Sequence, residues 1–281
     1  MNIAHTKKEV RNLVSRWKKA GETIGLVPTM GFLHQGHGSL IRRSVKENDH
    51  TVVSIFVNPI QFSKGEDLEK YPRSMEKDTA FCEELGADVI FNPSQGEMYG
   101  QPFYTYTDMT VVTEGLCGKT RTNMFRGVCT VCSKLFHIAA PNKAYFGKKD
   151  AQQLAVMKQM VQDMDFDLEI VGCESVREDD GLAMSSRNAY LSEEHRKIAP
   201  GIYRALLKAK EQVDTGEHRA SFLQDIFLGE IKKTAAFKPE YCQVVNGRTM
   251  KPVEEIAGDG SALMAVAVDL GGTRLIDNIE L

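Results

Sequence analysis

The sequence predicts an α/β fold: a Rossmann-like, doubly wound parallel sheet followed by a smaller C-terminal α+β domain. In the first part of the chain, short apolar runs typical of buried strands alternate repeatedly with helical patterns. Near residue 188 this alternation stops, and two helical segments are followed by three strand patterns. We therefore expect one domain at residues 1–176 and a second, a lid domain, at residues 177–281.

Two early segments justify the first elements. Residues 6–20 have the pattern of an amphipathic helix, with Thr6 as its cap and Gly21 as its end. Residues 51–58 form a near-continuous apolar run, as expected for a parallel strand covered on both faces. Further strands are expected at residues 24–28, 87–91, 107–113, 143–147 and 167–172, and further helices from residue 36 or 37 and at 74–85, 126–140 and 150–164.

The C-terminal elements follow a different pattern. A long helix is expected at residues 188–218, with a second helix at 221–237. Three strands are expected at residues 241–246, 262–269 and 273–277, and Gly271-Gly272 indicates a hairpin between the last two. Two helices and a small antiparallel sheet would complete the second domain.

Composition excludes several classes of protein. The chain has 281 residues, 42% of them hydrophobic, a formal net charge of −3 and no long basic run, so we expect no nucleic-acid partner. The first residues are polar, and no segment approaches the ~18 apolar residues of a membrane span, so a cytoplasmic protein is expected. Cys129 and Cys132 have a redox or half-zinc spacing but lie in an apolar helical run, which favours buried thiols over a metal site.

The segment around which the chain is organised is a strand–turn–helix at residues 24–40. Backbone N–H groups and the helix dipole converge at such a turn, which makes it a natural anion site. His34 and His37 lie three residues apart and would share one face of a helical turn. Imidazole can donate to a phosphate oxygen, although the same pattern also fits two surface histidines.

Polar residues follow two other predicted strands. Asn58 ends the strand expected at 51–58 and Gln61 follows it closely, and ligands of open parallel sheets bind beyond the carboxyl ends of strands. Gly147 ends the strand expected at 143–147, and Lys148 and Lys149 lie between it and a helix that Asp150 could cap. Glycine allows close approach of a ligand and lysine supplies charge for phosphate, although a solvated lysine pair and a simple strand end remain alternatives.

A further segment lies at the expected domain junction. Ser185 and Ser186 precede Arg187, and two hydroxyls beside a guanidinium can bind phosphate. A glycine turn followed by a serine cap would give the same pattern.

Taken in order, four motifs resemble the pantothenate synthetases, or pantoate–β-alanine ligases, within the nucleotidylyl-transferase superfamily. They are Pro-Thr-Met-Gly with His-x-Gly-His at 28–37, Phe-Val-Asn-Pro-x-Gln-Phe at 56–62, Phe-Gly-x-Lys-Asp-x-Gln-Gln at 146–153, and Asp-Gly-Leu-Ala-Met-Ser-Ser-Arg-Asn at 180–188. The resemblance is dense over residues 24–191 and thin afterwards, where only the domain pattern matches.

The resemblance implies that pantoate, β-alanine and ATP give pantothenate, AMP and pyrophosphate through a pantoyl-adenylate, with Mg²⁺ on the triphosphate and a homodimeric enzyme. The implied catalytic residues are His34, His37, Lys149, Ser185, Ser186 and Arg187. The implied ATP-binding residues are Met30, Gly31, Phe32, Leu33, His34, Gln35, Gly36, His37, Gly147, Lys148, Lys149, Asp150, Val176, Met184, Ser185, Ser186 and Arg187. Gln61 and Gln153 would bind pantoate, with Asn58 also in contact with substrate, and no protein ligand of a metal is expected.

Two departures from the family pattern stand out. Where the family usually has Pro-Gly-His before Phe125, this chain has Thr122-Asn123-Met124, which weakens any role carried over to position 124. Asn142 replaces a common aspartate after Pro141. Two rival hypotheses are a nucleotidyltransferase acting on a phosphate acceptor, which gives no reason for the paired glutamines, and a catalytically silent nucleotide-binding protein.

Overall fold

The structure, a computed structural model, describes every residue from Met1 to Leu281, and the chain divides into two units. Unit 1 comprises Met1–Thr110, Thr120–Gly147 and Val156–Cys173. Unit 2 comprises Val111–Lys119, Lys148–Ala155 and Glu174–Leu281. Unit 2 thus includes two short stretches that precede residue 176, and the expected domain boundary at that residue stays a prediction.

Unit 1 is built on a parallel sheet of six strands in the order β1-β4-β3-β2-β5-β6. The strands are β1 Asn2–Ala4, β2 Ile24–Thr29, β3 His50–Ile55, β4 Val89–Phe91, β5 Lys143–Gly147 and β6 Glu169–Cys173. The strand order reverses between β2 and β5, the kind of switch point beyond which α/β sheets bind ligands. The doubly wound sheet expected from the sequence is confirmed.

Helices cover this sheet because its strands are apolar on both faces. The helices that unit 1 contains wholly are α1 Lys7–Ala20, α2 Gln35–Glu47, α3 Met75–Glu84, α4 Gln95–Met98 and α6 Met124–Ala139. Ile41 of α2 packs in one core cluster with Val27 and Val53 of the sheet. Helix α6 packs against β2 and α1. Two more helices cross the division between the units along the chain: α5 Leu116–Thr120 and α7 Ala151–Asp163.

Unit 2 contains an antiparallel sheet in the order β7-β8-β9. Its elements are α8 Glu193–Ile198, α9 Gly201–Asp214, α10 Ala220–Ile231, β7 Phe237–Asn246, β8 Ala262–Leu270 and β9 Thr273–Glu280. Leu206, Phe227 and Val266 lie in its core, which α9 and α10 share with the central strand. Gly271 and Gly272 both have positive φ, 62° and 84°, which suits the tight β8–β9 hairpin expected here.

Three expected elements were wrong in detail. Residues 107–113 form no strand, and Val111 adopts a left-handed φ of 65° that breaks the weak alternation. The expected helix at 188–218 is a 3₁₀ turn, Ser186–Tyr190, followed by α8 and α9, because Ser192 caps α8 and Pro200 begins a new helix. Helix α10 ends at Ile231, and Phe237 already belongs to β7.

Candidate active site

The chain turns sharply between β2 and α2 in what we call the histidine turn, residues 30–37. Gly31 and Phe32 have φ values of 81° and 51°, and the latter is uncommon for a residue with a side chain. Phe32 N–H and Leu33 N–H donate to the two carboxylate oxygens of Asp78 at 2.8 and 2.7 Å. Burial raises the pKa of Asp78, and these two hydrogen bonds act in the opposite direction.

The two imidazoles of the histidine turn cap the start of α2. Gly36 N–H donates to Nδ1 of His34 at 3.1 Å, and His34 N–H donates to Nδ1 of His37 at 3.3 Å. The ring centroids are 4.1 Å apart. Because each Nδ1 accepts a backbone hydrogen, the proton of each ring lies on Nε2. The turn therefore presents two imidazole N–H donors beside a helix N-terminus, an arrangement suited to an anion.

Asn58 and Gln61 lie beyond β3, where a 3₁₀ turn runs from Pro59 to Gln61. Asn58 is 1% exposed, and its amide donates to Oε1 of Gln61 at 3.0 Å and to the Gly127 carbonyl at 3.1 Å. Tyr99 donates its hydroxyl hydrogen to Oδ1 of Asn58 at 2.7 Å. Asn58 thus holds the amide of Gln61 from a buried position, and its own contact with substrate stays a prediction.

Gln61 also connects two motifs that lie apart in sequence. Its Nε2 donates to Sδ of Met30 at 3.1 Å, which joins the amide to the histidine turn. Its backbone packs directly on α6: a Cβ added to Gly127 would lie 2.5 Å from Cα of Gln61. Glycine is therefore required at position 127 to keep Gln61 where it is.

In unit 2 a 3₁₀ turn at residues 148–150, the lysine turn, leads into α7. Nζ of Lys148 lies 2.6 Å from Glu174 and 2.9 Å from Glu280, and these hydrogen bonds raise its pKa. Nζ of Lys149 lies 3.8 Å from Oδ1 of Asp150. The two lysines thus differ: two carboxylates within hydrogen-bond distance balance the charge of Lys148, whereas the ion pair of Lys149 with Asp150 is longer.

The two glutamines that open α7 also differ. Gln152 is buried, and its side chain makes three hydrogen bonds to the backbone of residues 112–117. Gln153 is partly exposed. The structure therefore leaves Gln153 accessible for the role expected of it and uses Gln152 within the protein.

The serine segment, residues 184–187, ends a short hairpin of unit 2. Met184 N–H donates to the Val176 carbonyl at 3.0 Å, which brings together two residues expected to bind the nucleotide. Oγ of Ser185 accepts from Arg187 N–H at 3.2 Å and caps the 3₁₀ turn, while Ser186 is buried. Strand β9 contacts both this turn and the lysine turn.

Within each unit, the structure therefore groups the expected residues. Unit 1 contains the histidine turn, Asn58, Gln61 and Gly147, and unit 2 contains the lysine turn, Gln153, Val176 and the serine segment. Sequence reasoning missed the supporting residues Asp78, Tyr99, Gln152 and Asn278, the last of which donates to the carbonyls of Lys148 and Lys149. Gln152 lay inside a recognised motif, whereas nothing local marks the other three.

The two departures from the family pattern have different surroundings. Oδ1 of Asn142 accepts from Ile24 N–H at 2.9 Å, a bond that an aspartate oxygen could accept equally well. Met124 is the first residue of α6, and its Sδ accepts from Arg121, whose guanidinium is paired with Glu66. A thioether cannot transfer a proton, so position 124 offers no acid or base.

Other features bear on cofactors and membranes. No three side chains among His, Cys, Asp and Glu lie together in a way that could hold a metal ion. Cys129 and Cys132 are buried in α6, and burial raises the pKa of both thiols, that of Cys129 to about 12. None of the helices combines the length and apolar character needed to cross a bilayer.

Comparison with known proteins gives one consistent result. The family model described as pantoate-beta-alanine ligase matches residues 2–280. A pantothenate synthetase of Clostridium novyi is 54% identical over 270 residues, covering 96% of this chain and 95% of its own. One from Clostridium botulinum strain Loch Maree is 48% identical over 278 residues, covering 99% and 98%.

Solved structures agree. The crystal structure of pantothenate synthetase from Thermus thermophilus matches with a TM-score of 0.94 at 41% identity, covering 100% of this chain and 99% of its own. A pantoate-beta-alanine ligase from Francisella tularensis, described as complexed with beta-gamma ATP and beta-alanine, matches with a TM-score of 0.82 at 34% identity, covering 100% and 97%.

Proposed function

This chain belongs to the pantoate–β-alanine ligase family, and we propose that it joins pantoate to β-alanine through a pantoyl-adenylate, releasing pyrophosphate and then AMP. The observation that carries this proposal is the histidine turn, where two Nε2–H donors and a helix N-terminus lie together as an anion site requires. The ATP and β-alanine named for the Francisella tularensis relative support the choice of substrates.

In the first half-reaction, a carboxylate oxygen of pantoate attacks the α-phosphorus of ATP, and pyrophosphate leaves. The carboxylate is already an anion at pH 7, so the barrier comes from repulsion between anions and from charge on the phosphate oxygens. Positioned donors and positive charge lower that barrier. We assign this role to the side chains of His34, His37, Lys149, Ser185, Ser186 and Arg187.

Backbone groups would hold the rest of the nucleotide. We assign adenosine and phosphate contacts to residues 30–37 in unit 1, to Gly147, to the lysine turn, and to Val176 and Met184. Mg²⁺ would arrive with ATP, bound to its β- and γ-phosphates, where it neutralises the leaving pyrophosphate.

Gln61 and Gln153 are assigned to pantoate. A carboxamide donates to a carboxylate and accepts from a hydroxyl, which matches the two ends of a hydroxy acid. Gln61 is held in place through Asn58, to which we assign a positioning role. In the second half-reaction, the amine of β-alanine attacks the acyl carbon and forms the amide bond. The bond between the acyl carbon and the bridging oxygen breaks, so AMP leaves with that oxygen, and the proton lost by the amine passes to water or to a phosphate oxygen of AMP.

The wider setting is also part of the proposal. We assign residues 1–176 to ATP and pantoate binding and residues 177–281 to a lid, in a homodimeric enzyme. A cytoplasmic location is supported by cysteines that remain thiols and form no disulfides.

An oxygen-transfer experiment tests the intermediate. With pantoate labelled with ¹⁸O in its carboxylate, attack at the α-phosphorus places one labelled oxygen in AMP. Attack at the γ-phosphorus would place the label in inorganic phosphate instead and would refute the adenylate. Pyrophosphate release from ATP and pantoate before β-alanine is added provides a second measurement, and release that requires some other acceptor would favour a nucleotidyltransferase.

A further inference from the structure

One face of β9 supports the lysine turn. Arg274 and Asn278 lie four residues apart on this strand, and residues at even spacing share a face. The amide of Asn278 donates to the carbonyl of Lys148 at 3.0 Å and to that of Lys149 at 2.9 Å. The amide group of Asn278 thus binds two successive carbonyls, which fixes the backbone from which the Lys149 side chain starts.

Gln152 anchors the next stretch, the start of α7, to a different segment. Its Oε1 accepts from Cys117 N–H at 3.0 Å. Its Nε2 donates to the carbonyls of Val112 and Gly115, each at 2.9 Å. The side chain is 6% exposed, so no water replaces these bonds if they are lost.

The segment that Gln152 holds is itself attached to the antiparallel sheet. Sγ of Cys117 lies 3.2 Å from the hydroxyl of Tyr241 in β7 and 3.5 Å from Nη2 of Arg274 in β9. Arg274 in turn makes two hydrogen bonds to Glu240, at 2.6 and 3.0 Å. The anchor of Gln152 therefore leads back to the same face of β9 that carries Asn278.

We infer that Asn278 and Gln152 are two separate positioning residues for the ligase reaction: Asn278 fixes Lys149 toward ATP, and Gln152 fixes Gln153 toward pantoate. This inference rests on the roles assigned to Lys149 and Gln153 above. Successive residues of a helix point about 100° apart, so when Gln152 is held against residues 112–117, the direction of Gln153 is set as well.

The effects of Asn278 and Gln152 can be separated because the two side chains bind different parts of the chain. Asn278 binds carbonyls of the 3₁₀ turn, whereas Gln152 acts inside the first turn of α7. Loss of the Asn278 amide should make the position of the Lys149 side chain less defined without displacing the start of α7. Loss of Gln152 should loosen the start of the helix while the lysine carbonyls stay bound.

Steady-state kinetics of two isosteric variants test this. We expect Gln152→Met to raise the KM for pantoate about tenfold, the equivalent of one good hydrogen bond, and to change the KM for ATP less than about twofold. Asn278→Leu should do the reverse, raising the KM for ATP about tenfold with little change for pantoate. Gln159→Met is the matched control, because Gln159 lies on the same helix and its side chain donates to Asp163 in its own last turn.

Equal changes in both KM values in both variants, or a lower melting temperature with neither KM changed, would overturn the inference. If an isosteric variant does not fold, Gln152→Asn and Asn278→Ser replace it, because their polar side chains are too short to make the same hydrogen bonds. Gln152→Asn should then raise only the KM for pantoate, and Asn278→Ser only the KM for ATP. Gln153→Ala separates the two proposals. If it raises the KM for pantoate and Gln152→Met does not, only the positioning inference fails; if Gln153→Ala leaves that KM unchanged, the assigned role of Gln153 fails, and the inference fails with it.

Discussion

The histidine turn and the lysine turn are built in opposite ways. In the first, the bonds that cap the helix join residues two or three positions apart: Gly36 with His34, and His34 with His37. In the second, the bonds come from residues far along the chain, such as Asn278, which is 129 positions from Lys149. The histidine turn therefore caps its helix from within its own sequence and has Asp78 as a further support, whereas the lysine turn is held by a distant strand.

This difference bears on how each turn can be disturbed. A turn that caps its own helix keeps its geometry as long as that helix forms. A turn held by a distant strand depends on the tertiary structure around that strand. The predictions below test this contrast, beginning with the largest expected effect.

The largest effect should come from the ion pair beside Asn278. Nη1 and Nη2 of Arg177 lie 2.7 and 2.9 Å from the Asp277 carboxylate, which is 6% exposed. Asp277→Ala leaves a largely enclosed guanidinium, its side chain 17% exposed, without its carboxylate partner, so we expect the unfolding free energy to fall by about 3–5 kcal/mol. Urea unfolding measures this, with exposed Asp214→Ala as the control, expected within about 0.5 kcal/mol of wild type. A loss below about 1 kcal/mol would show that the pair of Arg177 and Asp277 contributes little to the stability of β9.

The next effect concerns rate. We expect His37→Ala and Lys149→Met each to slow pyrophosphate release in a single turnover by on the order of 10²-fold or more, because each removes charge stabilisation at the transition state. His137→Ala and Lys158→Met, both at exposed positions, are matched controls and should retain the wild-type rate. A wild-type rate in either variant would show that the substituted residue, and the turn that carries it, does not take part in adenylate formation.

Asp78→Ala measures how much the histidine turn depends on its support from a distant helix. Asp78→Ala leaves two backbone N–H groups, of Phe32 and Leu33, without their acceptor in a protein interior. We expect the unfolding free energy to fall by about 2–3 kcal/mol. Glu84→Ala, at an exposed position of the same helix, is the control. A loss as large as that of Asp277→Ala would weaken the contrast between the two turns.

The smallest effect is a pH dependence at the far end of α2. Arg43, Lys143 and Tyr145 donate to Glu47, and these hydrogen bonds, that of Arg43 foremost, lower the pKa of Glu47 to about 2. Because the folded pKa lies below the unfolded value, this stabilisation is present above pH 4.5 and is lost as pH falls towards about 2.

Urea unfolding of wild type and Glu47→Gln across that range measures the effect. The carboxylate is 26% exposed, so we expect a difference below about 1 kcal/mol at pH 7, shrinking towards zero at low pH. A difference that grows as pH falls would contradict the sign.

Features made by residues close together in the sequence could be predicted from it, and features made by distant residues could not. The strands of unit 1 were predictable because apolar runs mark strands covered on both faces, and the histidine turn because its glycines and histidines lie within a few residues. The bonds of Gln152 and Asn278 were not, because they join residues 35 to 130 positions apart. Asp78 resembles an ordinary acidic residue of a first helical turn, and only the fold reveals its burial.

The close approach of Gly127 to Gln61 has a consequence for engineering the enzyme. Two stretches of main chain meet there with no side chain between them, so neither can retreat to make room for a bulkier acid substrate. Variants that accept acids bulkier than pantoate should therefore come from substitutions of side chains around the Gln61 amide. Position 127 should stay glycine in such libraries, because any side chain there would displace the Gln61 backbone.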